Sequence, residues 1–460
     1  MKNDDILTAL DKQFSLNKEN SKIVIVGLGI TGLSVAYYLR RLGLNFAIVD
    51  SRNKPPFNDE LLAEMSEVAV FTGGFDPAVF DVATHIIVSP GISMQEPVIE
   101  EALAKGVRTI SDIDLFACSV SEPVVAITGS NGKSTVTTML GDMARKAGRH
   151  VAVGGNLGTP ALDLLSDDAE LYILELSSFQ LERTSQLDAV AATVLNISAD
   201  HQDRYENIAA YVTQKLKVYA GSGVMVINIG YPYSAEMKQS NREVLTFGVH
   251  ENQENADYHL LETTSGMSLA VRGRAILPVS ELLVTGGHNQ ENALAALALG
   301  SVIGLPETAM CKALRQYKGL KHRVEFVAKI AGVNWINDSK ATNVGACVAA
   351  LQSFKNSSVL LIAGGDAKAA DMSDLIPLLK AKVKALLLIG KDSQLIKQAV
   401  NGCIPVLEVG TLKKAVKKAH GIAEAGDTVL LSPACASMDQ FTNYKDRGAQ
   451  FVTQVKALQQ

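Results

Sequence analysis

Lys133 stands in the turn Gly129-Ser130-Asn131-Gly132-Lys133-Ser134-Thr135, the stretch of this chain whose residue types carry the clearest chemistry. Glycines let backbone N–H groups turn toward anionic oxygens, a helix N-terminus adds the positive end of its dipole, and a lysine neutralises a terminal phosphate. Ser134 adds a hydroxyl suited to a magnesium ion. Val124, Val125 and Ile127 just before the turn have the β-branched character of a buried strand, and the residues after it predict a helix. Strand, glycine-rich turn and helix in that order cradle a nucleoside triphosphate. The form is the shorter TGxxGK[ST], because Ile127 stands where the longer P-loop pattern has a glycine. A solvated Gly/Ser turn holding a lysine by chance leaves the strand that leads into it unexplained.

A second glycine turn, Gly27-x-Gly29-x-x-Gly32, follows the apolar run Ile23–Val26 and precedes a helix whose packed face is expected to carry Leu33, Tyr37 and Leu39. The next strand, Phe46–Val49, ends at Asp50. A tight turn, a close backbone approach to a diphosphate and an acid placed for ribose hydroxyls form the dinucleotide fingerprint, of which NAD is the habitual occupant. The same geometry holds any nucleoside diphosphate, or serves packing alone, so the residues leave the ligand open. Strands at Val68–Phe71 and His85–Val88 follow. The second runs into Ser89-Pro90-Gly91-Ile92, at the edge of an open α/β sheet where ligands sit.

Farther along, Leu171–Leu174 predicts a buried strand with Glu175 at its end, a costly place for a carboxylate unless it meets a cation. Beside a phosphate loop Glu175 is a magnesium candidate, and a salt-bridged structural acid is the equal alternative. Strand Ala191–Asn196 leads to His201 among Asp200, Asp203 and Arg204, then to an amphipathic helix carrying Lys215 and Lys217 beside Tyr211 and Leu216. Taken alone, Lys215 reads as a surface lysine whose stem lies along apolar neighbours. Asn156 in GGNLGTP is a ligand contact or part of a plain connection, and Asn289, before the helix Asn292–Leu299, reads by default as a cap. Residues 228–283 give short strands and turns without assignable chemistry. Cys435 lies in a polar loop with no histidine near it in sequence and is not read as a nucleophile.

These groups need sheets to hold them. The chain has 460 residues, and about 150 residues per domain predicts three domains. One cut falls at 112, where the first βαβ series ends, and another at 318, where the pattern restarts with strands Val359–Ala363, Ala385–Ile389, Pro405–Val409 and Thr428–Leu431 alternating with helices. The result is 1–112, 113–318 and 319–460, all α/β. Composition is 47% hydrophobic and 20% charged with a net charge of −5, which favours a globular chain and gives no electrostatic argument for nucleic acid or a membrane surface. Five scattered cysteines without CxxC spacing argue against a disulfide framework or structural zinc and fit a reducing cytoplasm. The leader MKNDDILTALDKQFSLNKEN is polar and acidic, unlike a signal peptide, and has no evident role. The smooth apolar stretch Ala293–Leu305 is shorter than the ~20 residues of a spanning helix.

Together TGSNGKST, ELSSFQLE, DHQDRY, GGHNxxN, KHRVEF, NDSKATN and SPACASMDQF resemble the Mur ligase family along nearly the whole chain. Seven motifs in order are more specific than any one. The resemblance implies a Rossmann-like N-terminal domain, a central P-loop ATPase-like domain and a Rossmann-like C-terminal domain. SPACASMDQF and GGDAKAAD are similar to the member that adds D-glutamate to UDP-N-acetylmuramoyl-L-alanine in cytoplasmic peptidoglycan precursor synthesis, and no DNPR-like stretch points to the later amino-acid-adding relative. It implies UDP rather than NAD in the first domain, with Gly29, Ile30 and Thr31 at the diphosphate, Asp50, Ser51 and Arg52 toward the uridine, Ser89 and Gly91 close by, and Asn156 on the muramoyl part. ATP is implied between the second and third domains, held by Gly129, Ser130, Asn131, Gly132, Lys133, Ser134, Thr135, Asn289, Arg323 and Asp338. Two Mg2+ sites are implied at Ser134, Glu175, His201 and Lys215, the last carrying a CO2-derived carbamate that residues alone do not reveal. Lys133, His201 and Lys215 are the implied catalytic set. D-glutamate is implied at Thr342, Lys368, Ser437, Met438 and Tyr444, where Met438 and Tyr444 stand in place of an expected Leu and Phe. A monomer is expected, with neither nucleic acid nor membrane as a partner. The competing readings are an NAD-dependent oxidoreductase with a nucleotide-regulated domain, a nucleotide-gated interaction module, and a relative adding a different amino acid.

Overall fold

The computed structural model describes residues 2–198, 200, 204–231, 233, 241–249, 255–284, 286–354, 356–367 and 370–459. Among the described residues three sheets follow one another along the chain. The first is wholly parallel, built from β1 (Ile23–Val26), β2 (Phe46–Asp50), β3 (Ala69–Thr72), β4 (His85–Val88) and β5 (Arg108–Thr109) in the order β3-β2-β1-β4-β5. The order reverses at β1, so the crevice beyond its carboxyl end, where Gly27 and Gly29 lie, is a ligand position for a doubly wound sheet.

The second sheet has nine strands: β6 (Val124–Thr128), β7 (Val151–Gly155), β8 (Leu171–Glu175), β9 (Ala191–Val194), β10 (Val224–Asn228), β11 (Val244–Phe247), β12 (Tyr258–Thr263), β13 (Gly266–Val271) and β14 (Arg274–Pro278). Their order is β14-β13-β12-β11-β10-β9-β6-β8-β7, parallel except where β13 meets β12 and β14. The phosphate-loop strand β6 lies between β8 and β9, with Ile127 opposite Glu175 and Thr128 opposite Val194. That register brings Glu175 to the mouth of the loop.

The third sheet, β15 (Glu325–Ile330), β16 (Val333–Asn337), β17 (Val359–Gly364), β18 (Val383–Ile389), β19 (Val406–Gly410) and β20 (Thr428–Leu431), has the order β15-β16-β20-β17-β18-β19 and is parallel apart from β15. The all-apolar runs predicted as buried strands, such as Val359–Ala363, are buried on both faces because helices cover both sides.

The first two sheets are not independent. One apolar cluster takes Ile25 and Ile87 from the first, with Leu39 from the helix packed on it, together with Ala126, Tyr172 and Leu174 from the second. The third sheet has its own clusters, one on each face.

Local expectations shift in three places. On the helix Ile30–Leu42 the buried tyrosine is Tyr38, whose hydroxyl lies 2.6 Å from Ser119 Oγ, while Leu33 and Tyr37 are only partly buried. The helix expected at Asn292–Leu299 runs from Gly287 to Val302, because the alanine-rich segment is buried all round. The leader is also more than polar. It forms a helix, Asn3–Phe14, with Ile6, Leu10 and Phe14 at a four-residue spacing buried in the shared cluster. Phe14 O accepts from Arg108 Nη1 at 2.6 Å and lies 3.0 Å from His85 Nε2.

Candidate active site

The phosphate loop leaves β6 through Gly129 at φ +150° and enters the helix Lys133–Lys146 through Gly132 at φ +82°. A Cβ on Gly132 would lie 2.4 Å from Asn292 Oδ1, so only glycine fits there. Lys133 folds back over its own loop, donating to Gly129 O at 2.7 Å and Ser130 O at 2.9 Å. Burial lowers its pKa, opposed by the charges of Glu175 and Asp200 and assisted by Arg323.

Lys215, read from sequence as a surface residue, is 1% exposed. The helix Ile208–Leu216 turns it inward, where Nζ donates to Gly129 O at 2.9 Å and sits 4.6 Å from the centre of the Tyr211 ring. Two lysines therefore share one carbonyl oxygen. Burial first, and the positive charge of Lys133 second, push the Lys215 pKa well below the ordinary lysine value.

Glu175 is 2% exposed. Its Oε1 accepts from Asn156 Nδ2 at 2.6 Å, and Oε2 has no hydrogen-bond partner among the described residues. A buried carboxylate oxygen left unpaired beside a phosphate loop fits a hard cation, with Ser134 lining the same cleft. Among the described residues no three His, Cys, Asp or Glu side chains gather.

The third domain closes the other wall. Arg323 Nη2 donates to Ser134 Oγ at 2.9 Å. Its neighbours His322 and Val324 have φ of 64° and 46°, a strained backbone for a β-branched residue. Asp338 holds this turn, accepting from Val324 N at 3.2 Å and from Ser432 Oγ at 2.7 Å. Burial raises the Asp338 pKa to about 7, against the pull of those hydrogen bonds and of Arg323 and Arg447. Asn343 Nδ2 reaches back to Asp200 Oδ2 at 2.9 Å, a second link between the walls.

Ser130, Asn131, Gly132, Lys133, Ser134, Thr135, Asn156, Glu175, Lys215, Asn289, Arg323, Asp338 and Thr342 thus line one cleft of about 580 Å³ between the second and third sheets. Asn289 is inside its helix, whose N-cap is Gly286, so the capping expectation gives way to a cleft-facing residue. His201 and Lys368 lie outside the described residues.

A separate group gathers in the first domain. Gly29 caps the helix that starts at Ile30, with open space beside it, and Ile30 is 61% exposed. Thr31 follows on the same helix end. A Cβ on Gly32 would fall 2.0 Å from Gly27 O, and Ser89 Oγ donates to that oxygen at 2.8 Å. Asp50 is already engaged: it accepts from Leu28 N at 2.8 Å and Arg52 Nε at 2.8 Å. Burial alone would raise its pKa, but these bonds and the Arg52 charge hold it below the usual value. Ser51, the Arg52 side chain and Gly91 are at the surface. Ser437 is buried and Met438 is 69% exposed, and neither lines the cleft. Tyr444 reaches it through Lys340, whose Nζ lies 4.1 Å from the ring centre.

Lys340 is the residue sequence reasoning passed over. It faces the cleft, and burial first, then Arg323, lowers its pKa to about 8. The signal was its place two residues after Asp338 in NDSKATN. Tyr211 and Asn343, to which the sequence assigns no role, also line the cleft.

Three family models match the chain: the MurD-like N-terminal domain of Mur ligases over residues 21–111, the Mur ligase middle domain over 127–300 and the Mur ligase glutamate ligase domain over 322–435. A UDP-N-acetylmuramoylalanine--D-glutamate ligase of Methylococcus capsulatus is 48% identical over 438 residues, 95% of either chain. The protein of that name in Pseudomonas aeruginosa is 46% identical over 438 residues, 95% of this chain and 98% of its own. Among solved structures, a pseudomurein peptide ligase type C from Methanothermus fervidus aligns with a TM-score of 0.62 at 19% identity, over 94% of this chain and 99% of its own. UDP-N-acetylmuramate-alanine ligase MurC from Thermotoga maritima aligns with a TM-score of 0.60 at 17% identity, over 95% and 100%. The two structural likenesses are of fold.

Proposed function

This chain belongs to the Mur ligase family, and from that premise we propose that it joins D-glutamate to UDP-N-acetylmuramoyl-L-alanine at the expense of ATP, in peptidoglycan precursor synthesis. The observation that carries the reading is the cleft itself, where a phosphate loop, an unpaired buried carboxylate oxygen and a guanidinium from the opposite wall converge. We place the working units at 1–112, 113–318 and 319–460, for the UDP part, ATP and the amino acid respectively. UDP is assigned to Gly29, Ile30, Thr31, Asp50, Ser51, Arg52, Ser89 and Gly91, and D-glutamate to Thr342, Lys368, Ser437, Met438 and Tyr444. Cytoplasmic action as a monomer belongs to the same proposal; among the described residues no helix is long and apolar enough to cross a membrane.

A carboxylate is a poor electrophile. The alanyl carboxylate oxygen attacks the γ-phosphorus, the bond to the β-phosphate oxygen breaks, and ADP leaves an acyl phosphate. The amine of D-glutamate then adds to the acyl carbon, loses a proton, and phosphate departs from the tetrahedral intermediate. Lys133 and Arg323 stabilise charge on the transferring phosphoryl group, and Asn156 holds Glu175 in place by the 2.6 Å bond. Ser134, Glu175, His201 and Lys215 are the residues that would hold two magnesium ions. Magnesium, when bound, screens the repulsion between the triphosphate and the acceptor carboxylate. Burial lowers the Lys215 pKa and so favours the neutral amine that takes up CO2: one N–C bond forms, one proton is released, and the neutral amine becomes an anionic carbamate ligand.

The test is phosphate release from ATP and Mg2+ with UDP-N-acetylmuramoyl-L-alanine and each candidate amino acid in turn. Release confined to D-glutamate, with a product heavier by one glutamyl residue, is expected. Dependence on another amino acid moves the step within the family, and release without any amine refutes the ligase.

A further inference from the structure

Arg183 ends the short helix Ser178–Arg183 that follows Glu175, and it is 6% exposed. Among the described residues the carboxylate paired with its guanidinium is Glu182, whose Oε2 is 3.9 Å away and also accepts from Arg204 Nη2 at 3.2 Å. Arg183 Nη1 donates to Phe179 O at 2.6 Å, Nε to Met94 Sδ at 3.2 Å, and Nη2 to Ile92 O. Arg204 Nη2 donates to the same Ile92 oxygen at 2.8 Å, with its guanidinium 4.9 Å from the centre of the Phe179 ring. Two buried or half-buried cations from the middle domain thus converge on one backbone carbonyl of the first. Burying two guanidiniums around one carboxylate and one shared carbonyl is costly, so their place there is geometric.

That carbonyl lies at a strategic point. The turn Ser89–Ile92 is held within the first domain by Ser89 N on Val26 O at 2.9 Å, Ser89 Oγ on Gly27 O at 2.8 Å and Ile92 N on Ser89 O at 3.0 Å. Ile92 Cδ1 packs so close over Gly27 that a Cβ there would meet it at 2.6 Å. On the other side Phe179 forms part of the cleft wall. Arg183 therefore joins the rim of the first-domain glycine turn to the wall of the ATP cleft.

The geometry points to Arg183 as a positioning residue for the acceptor: through Ile92 O and Phe179 O it fixes the rim over which a long nucleotide-sugar crosses from the first domain to the middle one. The inference rests on UDP lying in the first domain. Because the turn keeps its shape through first-domain bonds, losing Arg183 disturbs the crossing and leaves the UDP pocket intact.

The experiment compares the full-length wild type with Arg183→Ala and Arg183→Lys in steady-state kinetics and in calorimetric titration with UDP alone. In Arg183→Ala the KM for UDP-N-acetylmuramoyl-L-alanine rises about tenfold, while KM for ATP and for D-glutamate and the Kd for UDP stay within about twofold. Arg183→Lys recovers part of the loss. Should Arg183→Ala fail to fold, Met94→Ala, which removes the thioether acceptor alone, raises the same KM by a smaller factor. An unchanged acceptor KM, an equal rise in all three KM values, or a fall in UDP affinity as large as that for the acceptor overturns the inference. A wild type that does not bind UDP overturns instead the assignment beneath it.

Discussion

Arg323 and Ser134, 189 positions apart, meet through a 2.9 Å hydrogen bond that ties the third domain to the first turn of the phosphate-loop helix. Removing the guanidinium takes away part of a wall of the cleft and, on the proposed assignment, a charge at the triphosphate. Arg323→Ala is expected to raise KM for ATP by roughly tenfold or more, the worth of one charge-assisted hydrogen bond. ATP saturation curves at fixed acceptor and D-glutamate check it, and an unchanged KM places Arg323 outside the nucleotide site.

Lys133→Ala is expected to lose at least a hundredfold in kcat/KM, about 2.7 kcal/mol of transition-state stabilisation. Near-normal turnover in that variant removes the phosphate-loop assignment.

Lys215→Ala is expected to lose activity and to regain part of it in small carboxylates such as formate or acetate, which supply the missing anionic oxygens. Rescue titrations at constant ionic strength measure it. Full activity without additive removes Lys215 from the proposed metal site.

Asp338 gives a pH signature in stability. Its folded pKa, about 7, lies above the ordinary 3.8, so the folded state holds a proton that the unfolded state has released. The stabilising contribution is complete below about pH 4 and declines as pH rises through 7, by at most about 1.4 kcal/mol per pH unit. Urea melts across pH 4–8 should show that fall in the wild type and a flatter profile in Asp338→Asn. Parallel profiles contradict the assignment.

Leu10, fully buried in the cluster shared by the first two domains, gives the leader a stability role. Leu10→Ala is expected to cost ~2–5 kcal/mol. Chemical denaturation followed by circular dichroism measures it, and a change below ~0.5 kcal/mol marks the leader as dispensable packing.

The phosphate turn and its flanking strand were legible because local sequence dictates them: β-branched residues, then glycines, then a helix start. Glu175 was legible through the cost of burying its charge. Lys215 was not, since its burial depends on a hydrogen bond to a loop 86 positions earlier. No local pattern distinguishes such a lysine from a surface one. The leader was misjudged for a different reason. Its acids dominate the composition, yet Ile6, Leu10 and Phe14 recur every four residues, a helical stripe that periodicity exposes and composition conceals. Arg183 lay in plain view within the segment after ELSSFQLE, but two cations sharing the Ile92 carbonyl is a fact of three dimensions.

The common core beneath the first two sheets changes the arithmetic of bringing three substrates together. On the proposed assignment the acceptor's nucleotide turn and the phosphate loop belong to one body, whose internal distances exist before either ligand arrives. The lobe around the third sheet has separate cores and carries the wall assigned to the third reactant. Three reactants thereby meet through the docking of two bodies, and the orientational entropy of the third encounter has already been surrendered when the chain folds.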